Sequence, residues 1–316
     1  MRRWLITGCN GYLGTAFCLA LAARGEAVFG IMRAQRTAPT LAAHGIPVMD
    51  YAALPAQIAG GDIVVHCAAL THGTAWEAFE RVNVSWTIEL FAQAAARAAV
   101  FVQISSIAAL GYANRPAPAV LDEQTPPQLL PGELYGRSKL AAEQALVRQA
   151  AGLPLRLLIL RPGLIYGGRA PQSRPRQRGL LVDPAQRVPL VHLDSVCDAL
   201  WRMGDHPTLA GTFQVVDAEQ PRLDELLALK LALGLIPALP RRIGPAGYRV
   251  LWALRRLRQR RWPDPALLAA ELAHHCRQNT YSTTALRQAT GWQPACGYVE
   301  GWTRAAAAEQ EVAHAR

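Results

Sequence analysis

Short apolar stretches alternate with longer mixed segments over the first half of the chain. Within each stretch the apolar residues are nearly continuous and do not alternate with polar ones. This pattern is typical of strands buried on both faces, as in a parallel sheet covered by helices. The predicted strands are residues 4–7, 27–32, 47–49, 63–69, 100–104 and 155–160.

Helical patterns lie between several of these strands, most clearly over 12–23, 84–98 and 135–149. Strands that alternate with helices over short connections predict a doubly wound (Rossmann) α/β fold. Beyond residue 165 the pattern weakens to a strand over 188–193, a helix over 194–203, a strand over 212–216 and a mostly helical region over 222–275. We therefore predict a Rossmann domain of residues 1–165 plus 190–220, and a smaller, mostly helical C-terminal lobe of residues 166–189 plus 221–316.

A glycine-rich loop joins the first predicted strand to the first helix. Its sequence is Thr7-Gly8-Cys9-Asn10-Gly11-Tyr12-Leu13-Gly14. In such a loop the first glycine permits a tight turn, the second lets the backbone approach a pyrophosphate, and the third lets the helix pack closely on the strand. The helix N-terminus adds free N–H groups and partial positive charge. Dinucleotide binding is predicted, with contacts from Thr7, Gly8, Asn10, Gly11, Tyr12, Leu13 and Gly14.

The end of the second strand indicates which dinucleotide binds. NAD-binding proteins usually place an acidic residue there to bind the ribose 2′-OH. This chain has Arg33 instead, with Arg36 close behind, and both can pair with a 2′-phosphate. NADP(H) is predicted as the preferred cofactor, with NAD(H) possible. Asp50, after the third strand, is a further candidate that could accept a hydrogen bond from the adenine amino group.

Tyr135 and Lys139 are four residues apart on a predicted helix, so both side chains project from one face. A nearby ammonium favours the phenolate and makes tyrosine a better proton-transfer group near neutral pH. Ser105 and Ser106 follow the fifth strand, at the carboxyl edge where open α/β sheets bind ligands. Together these residues predict hydride chemistry at an alcohol or carbonyl.

The order of these motifs resembles the extended short-chain dehydrogenases/reductases of the NAD(P)-dependent epimerase/dehydratase family. Further segments resemble that family's motifs, namely His66-Cys67-Ala68-Ala69, Asn83-Val84, Leu160-Arg161-Pro162-Gly163-Leu164-Ile165-Tyr166-Gly167, Val191-His192-Leu193-Asp194-Ser195-Val196 and Gly291-Trp292-Gln293-Pro294. The resemblance covers residues 1 to about 220 and resumes near 281–301.

The resemblance also implies roles for particular residues. Tyr135 would be the general acid/base, and Lys139 would bind the nicotinamide ribose and lower the tyrosine pKa. Ser106, favoured over Ser105, would polarise the carbonyl. Residues beside the cofactor would include Ala68, Ala69 and Pro162.

The substrate is less well determined, and three functions stay open. The leading hypothesis is an NADP(H)-dependent oxidoreductase for an apolar or mid-sized alcohol/carbonyl, because the leucine-rich 222–275 region resembles hydrophobic lids of family members that act on such substrates. Residues 168–188 are rich in Arg, Pro and Gln. They lack the apolar helix expected in nucleotide-sugar epimerases or dehydratases, which are the second hypothesis. The third is a non-catalytic dinucleotide-sensing protein, against which the intact Tyr135/Lys139 pair argues.

The formal net charge is +10, and much of the excess lies in residues 169–178 and 241–261. The basic runs lack interleaved aromatic residues, which argues against a nucleic-acid partner. Residues 248–262 form a candidate basic amphipathic helix that could contact anionic lipid. Six cysteines without metal-like spacing predict free thiols, and a cytoplasmic location, no bound metal and a possible homodimer are expected.

Overall fold

The computed structural model describes residues 2–33, 36–113, 119–168, 180–259 and 264–314. Its strands are β1 (Arg3–Thr7), β2 (Ala27–Met32), β3 (Val48–Asp50), β4 (Ile63–His66), β5 (Val100–Ile104), β6 (Val120–Leu121), β7 (Arg156–Pro162), β8 (Leu164–Tyr166), β9 (Leu180–Leu181), β10 (Leu190–His192), β11 (Gly211–Val215), β12 (Arg241–Arg242) and β13 (Thr280–Tyr281).

The helices are α1 (Tyr12–Ala23), α2 (Pro39–Ala43), α3 (Leu54–Gln57), α4 (Trp76–Phe79), α5 (Trp86–Ala95), α6 (Leu134–Ala150), α7 (Leu193–Asp205), α8 (Leu223–Ala232), α9 (Gly244–Arg258), α10 (Pro265–His275), α11 (Thr284–Thr290) and α12 (Tyr298–His314). Two 3₁₀ turns occupy Tyr51–Ala53 and Ile107–Leu110, and a π-helical turn, Glu80–Ser85, joins α4 to α5.

Seven parallel strands form the main sheet in the order β11-β7-β5-β4-β1-β2-β3. The strand order reverses between β1 and β4, which creates a crevice at their carboxyl ends. Adjacent residues of β1 show why the strands are apolar throughout. Trp4 belongs to the core on the α1 and α7 side, whereas Leu5 belongs to the core on the α5 and α6 side. The predicted doubly wound fold is confirmed.

Some element boundaries differ from the sequence predictions. The fourth strand ends at His66, because the chain then turns across the glycine loop and the Cys67 amide donates to the Thr7 carbonyl. The predicted helix over 84–98 begins earlier, through the π-helical turn. The predicted strand over 188–193 is reduced to β10, which pairs with β8 outside the main sheet.

The C-terminal segment adds α8, α9 and α10 beyond the carboxyl edge of the sheet, with short two-stranded pairings β9–β12 and β6–β13. The Trp292 indole, fully buried, donates to the Ser195 carbonyl and ties the chain beyond α11 to α7. The basic run at 169–178 lies outside the described residues. Across the described ranges, no helix is both long and apolar enough to cross a bilayer.

Candidate active site

The glycine loop forms a close contact with the chain that follows β4. Gly8 has a φ of +66°, and a Cβ at this position would lie 2.7 Å from the Ala68 nitrogen. A Cβ on Gly14 would lie 2.2 Å from the Gly8 carbonyl oxygen, so the start of α1 packs directly on the loop. Gly11 is the N-cap of α1 and provides no side-chain cap. The first N–H groups of this helix are therefore available to an anion.

A cleft of about 340 Å³ opens above this loop at the point where the strand order reverses. Predicted cofactor residues that line it are Thr7, Gly8, Asn10, Gly11, Arg33, Arg36, Ala68 and Ala69. The structure thus brings the loop, the end of β2 and the chain after β4 together around one cavity, whose size suits part of a dinucleotide.

The cleft also contains residues that the sequence analysis missed, namely Tyr51, Val82 and Trp86. The Arg33 guanidinium carbon lies 5.4 Å from the Trp86 ring centroid, within cation–π range. An aromatic residue three positions after Asn83 was the available signal. Whether this side chain reaches the cleft depends on the direction that the π-helical turn gives to α5, and sequence spacing alone does not show that direction.

Other predicted cofactor residues have structural contacts of their own. Asp50 accepts a hydrogen bond from the Ala52 amide at 3.0 Å and caps a 3₁₀ turn, beside an adjoining pocket that also includes Arg33 and Arg36. The Leu13 side chain is buried in the core, and the Tyr12 hydroxyl donates to the Gly167 carbonyl. Any contact of Leu13 with a cofactor would therefore come from its backbone.

Thr7 takes part in a buried polar chain beneath the cleft. Its hydroxyl lies 2.7 Å from His66 Nδ1, and His66 Nε2 lies 3.1 Å from the Thr87 hydroxyl. Burial and the nearby Lys139 ammonium lower the pKa of His66 to about 3. The imidazole is therefore neutral near pH 7 and links β1, β4 and α5.

The predicted catalytic residues meet at the carboxyl end of β5. The Ser106 hydroxyl lies close enough to the half-buried Tyr135 phenol to affect its pKa, and its oxygen accepts a hydrogen bond from the Ala108 amide at 3.1 Å. The close approach is possible because Gly136 has no side chain, since a Cβ there would lie 2.3 Å from the Ala108 carbonyl oxygen. Burial raises the Tyr135 pKa, the nearby Tyr112 raises it further, and the Ser106 hydroxyl opposes both effects.

Ser105 has a different environment from its neighbour. It is buried, and its hydroxyl donates to Glu143, which also forms a buried ion pair with Arg161 at 2.5 Å. This serine therefore joins the interior of α6 to β7, while Ser106 faces the tyrosine.

Lys139 is buried below Tyr135 on the same helix. Its Nζ donates to the Ile104 carbonyl at 2.8 Å and lies 5.8 Å from the Tyr135 ring centroid. Burial lowers the Lys139 pKa to about 8, an effect that Glu143 partly opposes. A ligand hydroxyl or a phenolate beside it would favour the ammonium form.

Neighbouring side chains hold this arrangement in place. The Asn83 amide bonds both ways to the Leu70 backbone, at 2.8 and 2.9 Å, and donates to the Ser138 hydroxyl at 2.9 Å. It thereby fixes the chain after β4 against the catalytic helix α6. Pro162, another predicted cofactor contact, ends β7 opposite Val215 and is buried.

The start of α10 lies over the loop that leads into α6. A Cβ on Gly132 would lie 2.2 Å from the Ala266 carbonyl oxygen. The end of α10 meets Tyr112, whose ring centroid is 4.9 Å from that of His274. The buried Arg277 guanidinium lies 5.4 Å from the Tyr112 ring. The helical lobe thus covers the side of the site on which Tyr112 and Tyr135 lie, a contact between distant parts of the chain that no local motif indicated.

The doubly wound sheet and the glycine-rich loop are those of dinucleotide-binding α/β proteins. The sequence profile of the NAD dependent epimerase/dehydratase family matches residues 4–216, more than half of the chain. The chain belongs to this family, and the resemblance to extended short-chain dehydrogenases/reductases is confirmed.

The curated relatives include reductases by name. A 4-hydroxy-2-methyl-3-oxo-4-farnesyl-3,4-dihydroquinoline-1-oxide ketoreductase from Stigmatella aurantiaca is 37% identical over 172 residues, 52% of this chain and 51% of the relative. A 2-alkyl-3-oxoalkanoate reductase from Stenotrophomonas maltophilia (strain K279a) is 27% identical over 329 residues, 95% of this chain and 97% of the relative. The chain thus aligns with about half the length of the first relative and nearly all of the second.

Solved structures show the same fold at low sequence identity. MoeE5 in complex with UDP-glucose and NAD has a TM-score of 0.76 and 19% identity, with 98% of this chain and 99% of that protein covered. The name of the family and the NAD bound in the MoeE5 structure thus both support a nicotinamide cofactor.

Proposed function

We propose that this protein is an NADPH-dependent reductase, and in the reverse direction a dehydrogenase, of an apolar or mid-sized carbonyl compound. The observation that carries the proposal is the meeting of Ser106, Tyr135 and the buried Lys139 at the carboxyl end of the sheet. A hydroxyl, a phenol and an ammonium in this order can hold a carbonyl oxygen and protonate it.

The bound cofactor would supply a hydride to the carbonyl carbon. Tyr135 would give its phenolic proton to the carbonyl oxygen, so that a ketone becomes a secondary alcohol. Ser106 would donate a hydrogen bond to that oxygen and hold it beside the phenol. The Lys139 ammonium would stabilise the phenolate left behind, which is refilled by a proton from solvent.

The preference for NADP(H) over NAD(H) rests on Arg33 and Arg36, which line both the cleft and the adjoining pocket. Two guanidinium groups at this edge suit a 2′-phosphate better than a bare ribose hydroxyl. With Trp86 beside Arg33, an adenine ring would have planar partners on which to stack.

The substrate class is supported by two kinds of observation. The two reductases described above, from Stigmatella aurantiaca and Stenotrophomonas maltophilia, act by name on compounds with an oxo group and an alkyl or farnesyl chain. In this chain, the lobe that covers the site is rich in leucine. Several of its leucines are only partly buried in the structure, so they are available to an apolar ligand.

The main alternative is a nucleotide-sugar epimerase or dehydratase. It is considered because MoeE5, which has a similar fold, was solved with UDP-glucose bound. The two functions differ in their use of the cofactor. A reductase oxidises one NADPH for each carbonyl reduced and releases NADP⁺, whereas an epimerase keeps its cofactor bound through a closed cycle of oxidation and reduction.

The test is to mix the purified protein with NADPH and a panel of 3-oxo esters of increasing chain length, and to follow nicotinamide absorbance and product together. We expect one NADPH consumed per alcohol formed, with kcat/KM rising with chain length. Cofactor that stays bound through purification, together with turnover of UDP-glucose and no net NADPH consumption, would overturn the proposal in favour of the alternative.

A further inference from the structure

The helix α9 presents an apolar stripe to solvent. Its members are Val250, Leu251, Leu254 and Leu257, with exposed fractions of 60%, 44%, 52% and 52%. At helical spacing these positions fall on one side, while the buried Trp252 points to the other. α9 is anchored by aromatic residues and leaves four large aliphatic residues exposed, so within the described residues this face of the helix has no partner.

The position of α9 relates this stripe to the active site. α9 packs on α10, where the Tyr248 hydroxyl bonds to Glu271 and the Tyr248 ring lies 5.1 Å from His275. α10 in turn lies over the loop that leads to Tyr135. The stripe is therefore on the outer surface of the cover over the candidate catalytic residues.

Exposed arginines lie close to the stripe along the chain. Arg249, Arg255 and Arg258 on α9 are exposed, and Arg241 and Arg242 precede it in β12, also exposed. Within residues 241–263 the sequence contains no acidic residue. An apolar strip bordered by cations matches an anionic lipid surface, in which aliphatic side chains enter the acyl boundary and guanidinium groups bind headgroup phosphates.

We propose that this face of α9 docks on anionic membranes, so that the cover of the active site lies against the bilayer from which an apolar substrate enters. The link to substrate rests on the proposed reductase function, whereas the docking itself can be measured without it. A second copy of the chain fits less well, because a two-fold contact through α9 would bring the arginines of both copies together. A nucleic acid would not use the aliphatic residues at the centre of the stripe.

The docking test uses the full chain and sedimentation with vesicles of phosphatidylcholine alone or mixed with phosphatidylglycerol. We expect binding to the mixed vesicles that is about tenfold stronger than to the neutral ones and that weakens as salt rises. The double variant Leu254→Ser/Leu257→Ser should lose most of this binding, and Arg255→Glu should lose its salt-sensitive part.

Matched controls come from an exposed region elsewhere. Val147→Ser/Leu153→Ser removes two exposed apolar side chains near the end of α6, and Arg148→Glu reverses an exposed charge there. Both should bind vesicles like the unmodified chain. Equal loss in the control and α9 variants would overturn the assignment of the site to α9.

Further measurements separate the remaining outcomes. If the chain binds neither vesicle type, or if light scattering shows a dimer that Leu254→Ser/Leu257→Ser converts to monomer without any vesicle binding, the docking proposal is wrong. If the unmodified chain docks, Leu254→Ser/Leu257→Ser should reduce a water-soluble 3-oxo ester at the normal rate but a vesicle-dissolved one at least several-fold more slowly. Vesicle binding without any NADPH-dependent reduction would instead contradict the proposed function alone.

Discussion

Ser106, and not its neighbour Ser105, has its hydroxyl beside the Tyr135 phenol. Two adjacent residues at the end of one strand point in opposite directions, so only one faces the tyrosine while the other bonds to Glu143 in the interior. The position of Ser106 favours it for the proposed contact with the carbonyl. Substitutions of the two serines should therefore have different effects on catalysis and stability.

Replacing each serine with alanine therefore forms a matched pair. Ser106→Ala should lower kcat for 3-oxo ester reduction by about 10- to 100-fold, because a donor to the developing oxyanion is lost. Ser105→Ala should keep kcat within a few-fold and act mainly on stability, which thermal unfolding would show. Steady-state kinetics that found the larger loss in Ser105→Ala would reverse the assignment.

Tyr135→Phe should reduce NADPH consumption by about 1,000-fold, since proton transfer to the carbonyl oxygen is lost. The cofactor cleft is formed by other elements, so NADPH affinity measured by fluorescence titration should change little. Near-normal turnover in this variant would contradict the proposed role of the phenol.

Arg33→Gln should weaken NADPH binding by about tenfold or more while leaving NADH binding nearly unchanged, because only NADPH carries the 2′-phosphate. Arg148→Gln is a matched control, because Arg148 is exposed on α6 and does not line the cleft. Calorimetric titration of both cofactors checks this. An equal loss for NADPH and NADH would show that Arg33 does not read the phosphate.

Gly14→Ala should destabilise the protein by about 2 kcal/mol and weaken binding of either cofactor, because the new methyl group would collide with the Gly8 carbonyl of the phosphate loop. Gly60→Ala is the control, since a Cβ there meets nothing within 4 Å. Urea unfolding and cofactor titration should find the control within about 0.5 kcal/mol of the unmodified chain.

The buried His66 should make stability depend on pH. Because its pKa is lowered to about 3 in the folded state and returns to about 6.5 on unfolding, the unfolded chain binds the extra proton between these values. Its contribution to the unfolding free energy is fully present above pH 6.5 and is lost as pH falls. The loss reaches about 2 kcal/mol at pH 5.

His66→Gln should flatten the dependence of the unfolding free energy on pH between 6.5 and 5 by about 1.4 kcal/mol per unit at most, whatever its own stability. His44→Gln, at an exposed position, should keep the slope of the unmodified chain. Urea unfolding at several pH values checks both variants. An unchanged slope in His66→Gln would mean that this imidazole is not held neutral.

The sequence by itself determined the features that depend on local pattern. Continuous apolar strands can be buried only between two layers of helices, so the doubly wound sheet followed from residues such as Trp4 and Leu5. The glycine loop could be predicted because the backbone at Gly8 and the start of α1 at Gly14 come too close together for side chains, and both lie within a few residues of sequence. Tyr135 and Lys139 share a face because helix geometry fixes that spacing.

Only the tertiary structure decided what depends on contacts between distant segments. The position of Ser106 beside Tyr135 depends on how Gly136 lets α6 approach the turn after β5. The place of Trp86 in the cleft, the capping role of Asp50 and the covering of the site by α10 depend on packing across the whole chain. Local pattern encodes the secondary structure and the loop, whereas side-chain direction at the end of a strand is set by what packs against it.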